Sequence, residues 1–392
     1  MLDRNNLYFD VTTLLNVPLR DGIRRASRLW LDGLVAMNPD ESGYLIHPIR
    51  FENETPVYTF ELLKVPTPNG FGFPLHGIKT EIKQGSKLFI PAYDIFVPER
   101  NIDFSQVLHG VEVTSVIYDL LPINHPDWFP ESETKTLKFQ KSIYKQLFYS
   151  DKIIVNSSQV KDDVLKFAEL CKLPFSERNI RVIPLPSFNL NDGVKEGIKS
   201  FDANDANDAN DAKSNFLVVG TIEPRKGLLD ILSAFEQARK LNPNISLTIV
   251  GRIGWGVDEV LKSLKECQRR YPKHFEWLSN VSDSELAEAY ARADAVIVAS
   301  LAEGFGLPVV ESLAKGKATF IRGIPVLEEV SKGHAITFGF EKDYESLASI
   351  FMDSSEAIAK AAIKAKGFEP NLLAANMDNI VDFLNQRVNA KF

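Results

Sequence analysis

Short apolar runs alternate with longer stretches of helical periodicity along this chain. Four such runs, each at least three-quarters apolar, lie within the segments Lys87–Ile90, Lys152–Val155, Leu247–Val250 and Ala295–Val298. Continuous apolar runs of this length are typical of strands that are buried on both faces, as in a parallel sheet. Because helical stretches separate the runs, the pattern predicts an α/β chain built on parallel sheets.

An acidic repeat interrupts this alternation once. Residues 202–212 repeat Asp-Ala-Asn and offer no large apolar side chain to a core. Segments with so little to bury are typical of linkers and surface loops. We therefore predict two Rossmann-like domains, 1–195 and 215–370, joined by a linker at 196–214. The repeat has no flanking strand that would hold its carboxylates around a metal ion, so we do not interpret it as a metal motif.

The amino-acid composition indicates the broad class of protein to which this chain belongs. The 392 residues are 44% apolar and 25% charged, which is typical of globular domains, and the net charge of −7 excludes a basic footprint for nucleic acid. Cys171 and Cys267 form neither a paired framework nor a C-x-x-C motif, which favours a reducing compartment. No stretch reaches the roughly 18 apolar residues of a membrane span, and the first residues lack a signal core. We expect a cytoplasmic protein, soluble or peripheral on the inner face of the cytoplasmic membrane.

A strand, a loop and a helix follow one another in the second half. The apolar run Phe216–Val219 stops at the loop 220–227, before the helical pattern of residues 228–240. The loop places Arg225 and Lys226 at the carboxyl end of a buried strand, where open α/β sheets bind ligands. Arginine can hold phosphate through two parallel hydrogen bonds, and lysine adds a compact charge. An isolated Arg-Lys pair is more often a solvated turn, so the interpretation as a phosphate site depends on a second motif.

That second motif is the loop and helix start between Glu303 and Glu311. Gly304 and Gly306 allow the backbone to approach a ligand closely, and Pro308 fits the first helical position. The positive end of the helix favours phosphate, and the two carboxylates can accept hydrogen bonds from hydroxyl groups on either side. Together the two motifs predict a site for a diphosphate flanked by a sugar and a ribose.

The two motifs and their neighbours resemble the GT-B glycosyltransferases of family 4, retaining enzymes that use nucleotide sugars. The resemblance covers residues 215 to 340. The subgroup that the chain most resembles builds bacterial O-antigen and capsule polysaccharides, often as mannosyltransferases. The matching segments, in the family's order, are Val219–Gly227, Ile249–Arg252 with Gly254 and Trp255, Val281–Asp283 with Leu286 and Tyr290, Ala299–Ser300, Glu303–Pro308, Ile324–Val326 and Gly333–Ala335.

The resemblance implies a fold and a role for the first half. It implies an α/β GT-B architecture, with two Rossmann-like domains whose parallel sheets face a central cleft, and a last helix within 371–392 that packs back on the N-terminal domain. Phe9–Thr12 would form the first strand, and Gly22 and Arg24 would lie in a cleft loop before the first helix. Asp119 would place a polar group beside the donor sugar, although many relatives carry His where this chain has Tyr118. The other interpretation of Asp119, a residue that ends a strand and caps a turn, has equal weight.

The resemblance also assigns roles in the second half. Arg225 and Lys226 would neutralise the departing diphosphate, Glu303 would bind the donor sugar's hydroxyls and Glu311 the ribose hydroxyls. The predicted catalytic set consists of Arg225, Lys226, Glu303 and Asp119. No metal ion and no cofactor are implied. The remaining predicted donor contacts are Gly220, Thr221, Glu223, Gly251, Arg252, Ser282, Gly304, Phe305, Gly306 and Leu307.

The identity of the substrates is less constrained. The resemblance favours GDP-mannose as donor and a lipid-linked glycan as acceptor. UDP- and dTDP-sugars are competing donors because the diphosphate is common to all of them, and Gly323 replaces an Asp that many relatives carry. Two competing functions stay open, a non-catalytic glycan-binding subunit and a GT-B sugar-nucleotide epimerase. A dinucleotide oxidoreductase is disfavoured because no Gly-x-Gly-x-x-Gly run occurs.

One basic surface remains, on the predicted helix around residues 135–148. Its four lysines follow helical spacing, with apolar residues between them and no acidic residue until Asp151. Such a helix can lie on an anionic membrane. It can equally be an ordinary surface helix with a solvated lysine side. The four residues are Lys135, Lys138, Lys141 and Lys145.

Overall fold

The computed structural model divides the chain into two compact α/β units. Unit 1 comprises Met1–Asn124, Ser132–Pro186 and Asn371–Phe392, and unit 2 comprises His125–Glu131 and Ser187–Pro370. Residues 125–131 thus belong to unit 2 although they lie before the predicted linker, whereas residues 371–392, the segment expected to pack back on the first domain, belong to unit 1. The structure describes residues 5–15, 22–52, 55–58, 79–97, 104–129, 133–186, 214–339 and 344–387. The Asp-Ala-Asn repeat lies outside these described residues.

Unit 1 is built on a seven-stranded sheet. The strand order is β3-β2-β1-β4-β5-β6-β7, and all neighbours are parallel except the antiparallel pair β2 and β3. The strands are β1 (Asn5–Asp10), β2 (Tyr44–Glu52), β3 (Thr55–Tyr58), β4 (Lys87–Ile90), β5 (Glu112–Ile117), β6 (Lys152–Val155) and β7 (Ile180–Val182). The helices are α1 (Thr12–Leu15), α2 (Gly22–Ala36), α3 (Pro39–Ser42), α4 (Phe104–Val107), α5 (Leu121–Asn124), α6 (Glu133–Tyr149) and α7 (Ser158–Leu170).

Unit 2 is built on a six-stranded parallel sheet of order β10-β9-β8-β11-β12-β13. The strands are β8 (Ser214–Val219), β9 (Ile245–Val250), β10 (Phe275–Leu278), β11 (Ala295–Val298), β12 (Ala318–Arg322) and β13 (Ile336–Phe338). The helices are α8 (Leu228–Arg239), α9 (Asp258–Arg270), α10 (Asp283–Arg292), α11 (Leu307–Ala314), α12 (Pro325–Ser331), α13 (Tyr344–Met352) and α14 (Ser354–Ala365). The strand order reverses its direction between β8 and β11, so this sheet has its switch point there.

The apolar runs of the sequence become the central strands of both sheets. The four residues of β11 are all buried, as are those of β6, because helices cover both faces of each sheet. In the core of unit 2, aromatic rings pack together beneath α8 and α13, with the centroids of Phe216 and Phe351 4.6 Å apart and those of Phe235 and Phe351 6.0 Å apart. The predicted α/β class with two parallel-sheet units is confirmed.

The last helix, α15 (Leu373–Asn385), is part of unit 1. It packs on α2 so closely that a Cβ on Gly33 would lie 2.6 Å from the Sδ of Met377. Polar contacts fix its carboxyl-terminal end; among them, the buried Lys152 Nζ donates to the carbonyl of Leu384 at 2.9 Å, and the Tyr44 hydroxyl donates to Asn385 at 2.6 Å. Among the described residues, no helix combines the length and the apolar character needed to cross a membrane.

Candidate active site at the switch point of the second sheet

Two loops meet at the carboxyl ends of the adjacent strands β8 and β11. After β8 the chain turns through the short 3-10 segment Pro224–Lys226 and through Gly227, whose φ of 63° favours glycine, into α8. After β11 the chain runs through residues 299–306, and Gly306 with φ 97° precedes α11. We call these the β8 loop (220–227) and the β11 loop (299–306). Ligands bind in α/β sheets at such a switch point, outside the carboxyl ends of the strands.

Glu303 joins the two loops through an ion-pair network. Its Oε2 accepts from Arg225 Nη1 at 2.6 Å, and its Oε1 accepts from Lys226 Nζ at 2.5 Å and from the Ser300 hydroxyl at 2.7 Å. Arg225 also pairs with Glu223 through Nη2 at 2.6 Å. The backbone adds a further link, since the N–H of Leu301 donates to the carbonyl of Arg225 at 2.7 Å. The structure thus brings together four predicted site residues, with Glu303 between the two cations.

The network sets the charge state of Glu303. Burial alone raises the pKa of this carboxyl group, but the charges of Arg225 and Lys226, and hydrogen bonds from Lys226 and Ser300, outweigh burial and hold the pKa at about 2, against an ordinary value of 4.5. The carboxylate is therefore ionised at neutral pH. An ionised carboxylate is an acceptor only, so Glu303 can orient cations and hydroxyls but does not supply a proton.

Glycines allow the β8 loop to contact the start of the loop that follows β9. A Cβ on Gly251, directly after β9, would lie 1.9 Å from the carbonyl oxygen of Gly220. A Cβ on Gly220 would lie 3.4 Å from Cε of Lys226, so the lysine stem passes over this glycine. The backbone N–H of Ile222 also donates to the carbonyl of Arg252 at 2.8 Å. These contacts give Gly220, Gly251 and Arg252 a defined place in the loop framework.

Glu311 lies on α11, and its carboxylate is almost fully buried. Its Oε2 accepts from the Tyr290 hydroxyl at 2.8 Å, so a residue of α10 orients it. Leu307 begins the helix, which makes Pro308 the second helical residue, one position later than predicted. Phe305 is buried, and Gly306 leaves no space for a side chain because a Cβ there would lie 2.6 Å from Leu327. Gly304 is also buried.

Ser282 and Thr221 are placed less distinctively. The Ser282 hydroxyl accepts from the N–H of Glu285 at the start of α10, and the Glu285 carboxylate accepts from the backbone N–H of Ser282, which completes a capping box. The sequence Ser-Asp-Ser-Glu carries the signature of this motif, so the capping role could be predicted without the structure. Thr221 is half-buried and Arg252 has an exposed side chain. Their assigned donor contacts stay predictions.

Of the three predicted residues of unit 1, two lie in α2 and one lies in the turn between β5 and α5. Gly22 and Arg24 belong to the first turn of α2 and not to a loop before it, as the resemblance had implied. The reason is that the amphipathic pattern with buried Ala26, Trp30 and Leu34 already begins there. Asp119 Oδ1 accepts from the N–H of Leu121 at 3.1 Å, the turn-capping contact that was one of its two interpretations. A role toward a donor sugar stays a prediction.

Sequence reasoning missed several residues that shape the site. Ser300 and Tyr290 stood within the family's motifs without an assigned role, although both donate directly to the site carboxylates. Arg322 and Asp230 were not singled out at all. Arg322 ends β12 with a side chain that is fully buried, and its Nη2 donates to Asp230 at 2.6 Å. The only signal in the sequence is an arginine that closes an apolar strand run.

The described residues contain no group of three or more His, Cys, Asp or Glu side chains that could hold a metal ion. The predicted independence of metal ions stays a prediction. The site as the structure shows it is a pair of partly buried cations, ordered by carboxylates, at the carboxyl edge of a parallel sheet. Such an arrangement can bind and stabilise an anionic group such as a diphosphate.

Residues 200–352 match the family model described as Glycosyl transferases group 1. The chain is 31% identical to the serotype-specific mannosyltransferase WbdA of Escherichia coli over 86% of its own length and 41% of that protein. It is 30% identical to the O-antigen chain mannosyltransferase B of Escherichia coli over 62% of its length and 64% of that protein. The chain thus spans less than half the length of WbdA.

Solved structures agree on the fold. Anabaena HepE in complex with UDP and glucose superposes with a TM-score of 0.60 at 15% identity, covering 97% of this chain and 99% of that one. Sucrose-phosphate synthase from Thermosynechococcus elongatus gives a TM-score of 0.59 at 15% identity, with 97% and 99% coverage. Together with the two parallel-sheet units, these findings identify a chain of GT-B fold that carries a glycosyl transferases group 1 domain and is similar to bacterial O-antigen mannosyltransferases.

Proposed function

We propose that this chain transfers a sugar from a nucleoside diphosphate donor to a hydroxyl group of a growing bacterial surface polysaccharide. The observation that carries the proposal is the contact of Glu303 with both Arg225 and Lys226 at the switch point of the group 1 domain. It holds two cations side by side where a parallel sheet binds its ligand. The relatives named as O-antigen mannosyltransferases favour a polysaccharide acceptor and mannose as the sugar.

The cations would act on the leaving group. When the bond between the anomeric carbon and the diphosphate breaks, negative charge grows on the diphosphate oxygens, and preorganised donors stabilise that charge. Among the described residues, the Lys226 ammonium makes one hydrogen bond, to Glu303, so two of its three hydrogens remain for a ligand. Because Glu303 already orders the ammonium group, little reorganisation is needed when the diphosphate departs.

Glu303 has room for the sugar as well. A carboxylate offers about four acceptor positions. Oε1 uses two of them, for Lys226 and Ser300, whereas Oε2 accepts only from Arg225 among the described contacts. The free position on Oε2 is where we propose that a hydroxyl of the donor sugar binds. Glu311, oriented by Tyr290, would accept from the ribose hydroxyls of the same donor.

Three finer features also belong to this proposal. The donor would be GDP-mannose, since relatives are mannosyltransferases, and UDP- or dTDP-sugars are the competing donors. The anomeric configuration would be retained, as the family resemblance implies. The reaction would require no metal ion, because the two cations take the place of a divalent ion at the diphosphate.

A transfer assay tests the function. Purified chain is incubated with GDP-mannose, UDP-glucose or dTDP-rhamnose and with mannose oligosaccharides, and the product is analysed by mass spectrometry and by NMR of the new anomeric proton. We expect one of the donors to be consumed, and only when the acceptor is present. The reaction should proceed in EDTA, and the transferred sugar should keep the anomeric configuration that it has in the donor. Donor isomerised without acceptor would identify an epimerase instead.

The matched variants are Arg225→Ala and, as control, Arg270→Ala. Each arginine pairs with two glutamates, but Arg270 lies on the exposed face of α9, away from the switch point. Hydrogen bonds to charged groups contribute about 1.5–3 kcal/mol, so Arg225→Ala should lower the rate on the order of 10- to 100-fold. Arg270→Ala should leave it unchanged. Equal rates in the two variants, or no transfer from any donor, would contradict the proposal.

We also propose that α6 contacts an anionic membrane, where a lipid-linked acceptor would be found. Lys135, Lys138 and Lys141 are exposed. Leu137 and Tyr144 are 49% and 40% exposed, so apolar groups stand among the lysines. A groove of about 510 Å³ runs along the same helix to Phe167 and Cys171, and none of its lining residues is acidic. Basic and apolar groups on one helix are the combination that anionic lipid surfaces bind.

Co-sedimentation with vesicles tests this contact. We expect binding to vesicles of phosphatidylcholine with phosphatidylglycerol, and none to phosphatidylcholine alone. The variant Lys138→Glu with Lys141→Glu should release the chain, whereas Lys262→Glu with Lys265→Glu on α9 should not. Binding that is equal for both double variants would exclude α6 as the membrane contact.

A further inference from the structure

One buried arginine, Arg322, is tied to both loops of the candidate site. It is the last residue of β12, the strand beside β11. Its side chain is fully buried, and its guanidinium lies 5.6 Å from the centroid of the Phe338 ring. Nε donates to the carbonyl of Ala299 at 2.8 Å, and Nη2 donates to the Asp230 carboxylate at 2.6 Å.

One of these partners lies in the β11 loop, and the other lies in the helix that follows the β8 loop. Ala299 opens the β11 loop, four residues before Glu303. Asp230 lies in the first turn of α8, directly after the β8 loop that carries Arg225 and Lys226. A single planar guanidinium therefore spans the two segments whose side chains form the Glu303 network. Its donors have a fixed geometry, so the distance between the partners is fixed as well.

The β8 loop also touches this bridge directly. A Cβ on Gly227 would lie 2.2 Å from the carbonyl oxygen of Ala299 and 3.2 Å from Nη2 of Arg322. Ala299 is thus packed against the turn itself, and the arginine lies beside their contact. A displacement of the guanidinium would be transmitted to both loops because no space separates them.

Stability alone gives little reason for an arginine at this place. A buried ion pair often stabilises a fold less than apolar side chains of the same volume. Here the cost is larger, because Nη1 of Arg322 is buried without a hydrogen-bond partner among the described residues. Buried unsatisfied donors are rare and call for an explanation. The contacts of Arg322 to both loops suggest such an explanation.

We propose that Arg322 is a positioning residue, which holds the β8 loop and the β11 loop at the separation at which Glu303 contacts Arg225 and Lys226. Arg322 acts through those residues and not on the substrate. The expected effect of Arg322 on catalysis rests on the proposed function. Its effect on the two loops can be measured without a substrate.

The variants are Arg322→Met, Arg322→Lys and Asp230→Asn, with Arg239→Met as the matched control. Arg239 is a partly buried arginine at the other end of α8 that donates to the carbonyl of Ile245 and lies over the Tyr271 ring. Hydrogen exchange of the peptides covering the two loops should rise at least tenfold in Arg322→Met, partly recover in Arg322→Lys, and remain unchanged in Arg239→Met. Unchanged exchange in both Arg322→Met and Asp230→Asn would overturn the inference.

The kinetic readout separates positioning from donor binding. Misplacement of catalytic groups by about 1 Å can reduce rates on the order of 100-fold, so Arg322→Met should lower kcat by 10- to 100-fold. The KM for the donor should change less than about threefold, and Arg322→Lys should restore part of kcat. If Arg322→Met does not fold, Asp230→Asn carries the test. Wild-type chain without transfer activity would contradict the proposed function, whereas active wild type with full kcat in Asp230→Asn and in folded Arg322→Met would contradict this inference alone.

Discussion

At the scale of single residues, the site depends on how Glu303 is charged. Its carboxylate is buried, yet it accepts from two cations and a hydroxyl, and these contacts hold its pKa at about 2. A buried carboxylate without such partners would take up a proton at neutral pH. The same contacts that keep Glu303 ionised therefore keep Arg225 and Lys226 in place.

This charge state makes the stability of unit 2 depend on pH. The folded pKa of Glu303, about 2, lies below its ordinary value of 4.5. The ionised carboxylate therefore stabilises the fold above about pH 4.5, and this stabilisation is lost as the pH falls toward 2. We expect Glu303→Gln to be destabilised at pH 7 and to lose less stability than wild type between pH 4.5 and 2.5. Urea midpoints followed by tryptophan fluorescence test this; parallel pH curves would contradict it.

Glu311 gives a second prediction at this scale. If its carboxylate accepts from the ribose, wild type should bind GDP on the order of tenfold more tightly than 2′,3′-dideoxy-GDP, since hydrogen bonds to charged groups contribute about 1.5–3 kcal/mol. In Glu311→Gln this ratio should fall toward one while dideoxy-GDP binds as before. Calorimetric titration measures both. A ratio that is the same in the two proteins would exclude the ribose contact.

At the scale of elements, strands were predictable and several roles were not. Lys87–Ile90 and Ala295–Val298 become β4 and β11 because a short, mostly apolar segment between helices is typical of a strand that is buried in a parallel sheet. Gly22 was misplaced because a glycine near a helix start is also typical of a loop. The burial of Arg322 was invisible in the sequence, since it depends on Ala299 and Asp230, which are brought together only by the fold.

The close contact between the ends of β8 and β9 predicts that a larger side chain at this position destabilises the fold. Gly251→Ala would place its Cβ 1.9 Å from the Gly220 oxygen, so one loop must move. We expect a loss of more than about 3 kcal/mol, as for overpacked cores. The control Gly316→Ala has φ 67° but open space around its Cβ, so it should cost only about 1–2 kcal/mol. Chemical denaturation compares the two variants; a loss for Gly251→Ala that is no larger than the loss for Gly316→Ala would contradict this prediction.

Helix α15 is held by contacts of unequal burial. Lys152 is fully buried against the carbonyl of Leu384, whereas Arg181 pairs with Asp382 at the surface. In Lys152→Met, Glu112 keeps Lys87 as partner at 2.8 Å, so the main loss is the contact to α15. Amide exchange in α15 should rise on the order of tenfold. Arg181→Met should change it less than about threefold, because exposed ion pairs contribute little. Similar exchange in the two variants would contradict this ranking.

At the scale of the whole molecule, the site lies within unit 2, at the switch point between β8 and β11. The β8 loop, the β11 loop and α11 carry Arg225, Lys226, Glu303 and Glu311, and all of them lie between residues 214 and 339 of the described chain. All four residues therefore belong to unit 2.

The measurement that tests the central claim most directly is the binding of nucleoside diphosphates, because it depends on the switch-point cations and on no acceptor. Thermal shifts of the wild-type chain with GDP, UDP, dTDP, ADP and NAD are compared in the presence and absence of EDTA, and repeated on Arg225→Ala and Arg270→Ala. A ligand that binds only the folded state raises the melting temperature. We predict a shift from one nucleoside diphosphate that persists in EDTA and in Arg270→Ala and is lost in Arg225→Ala. No shift from any of them, or a shift that Arg225→Ala retains in full, would contradict a donor site at Arg225, Lys226 and Glu303.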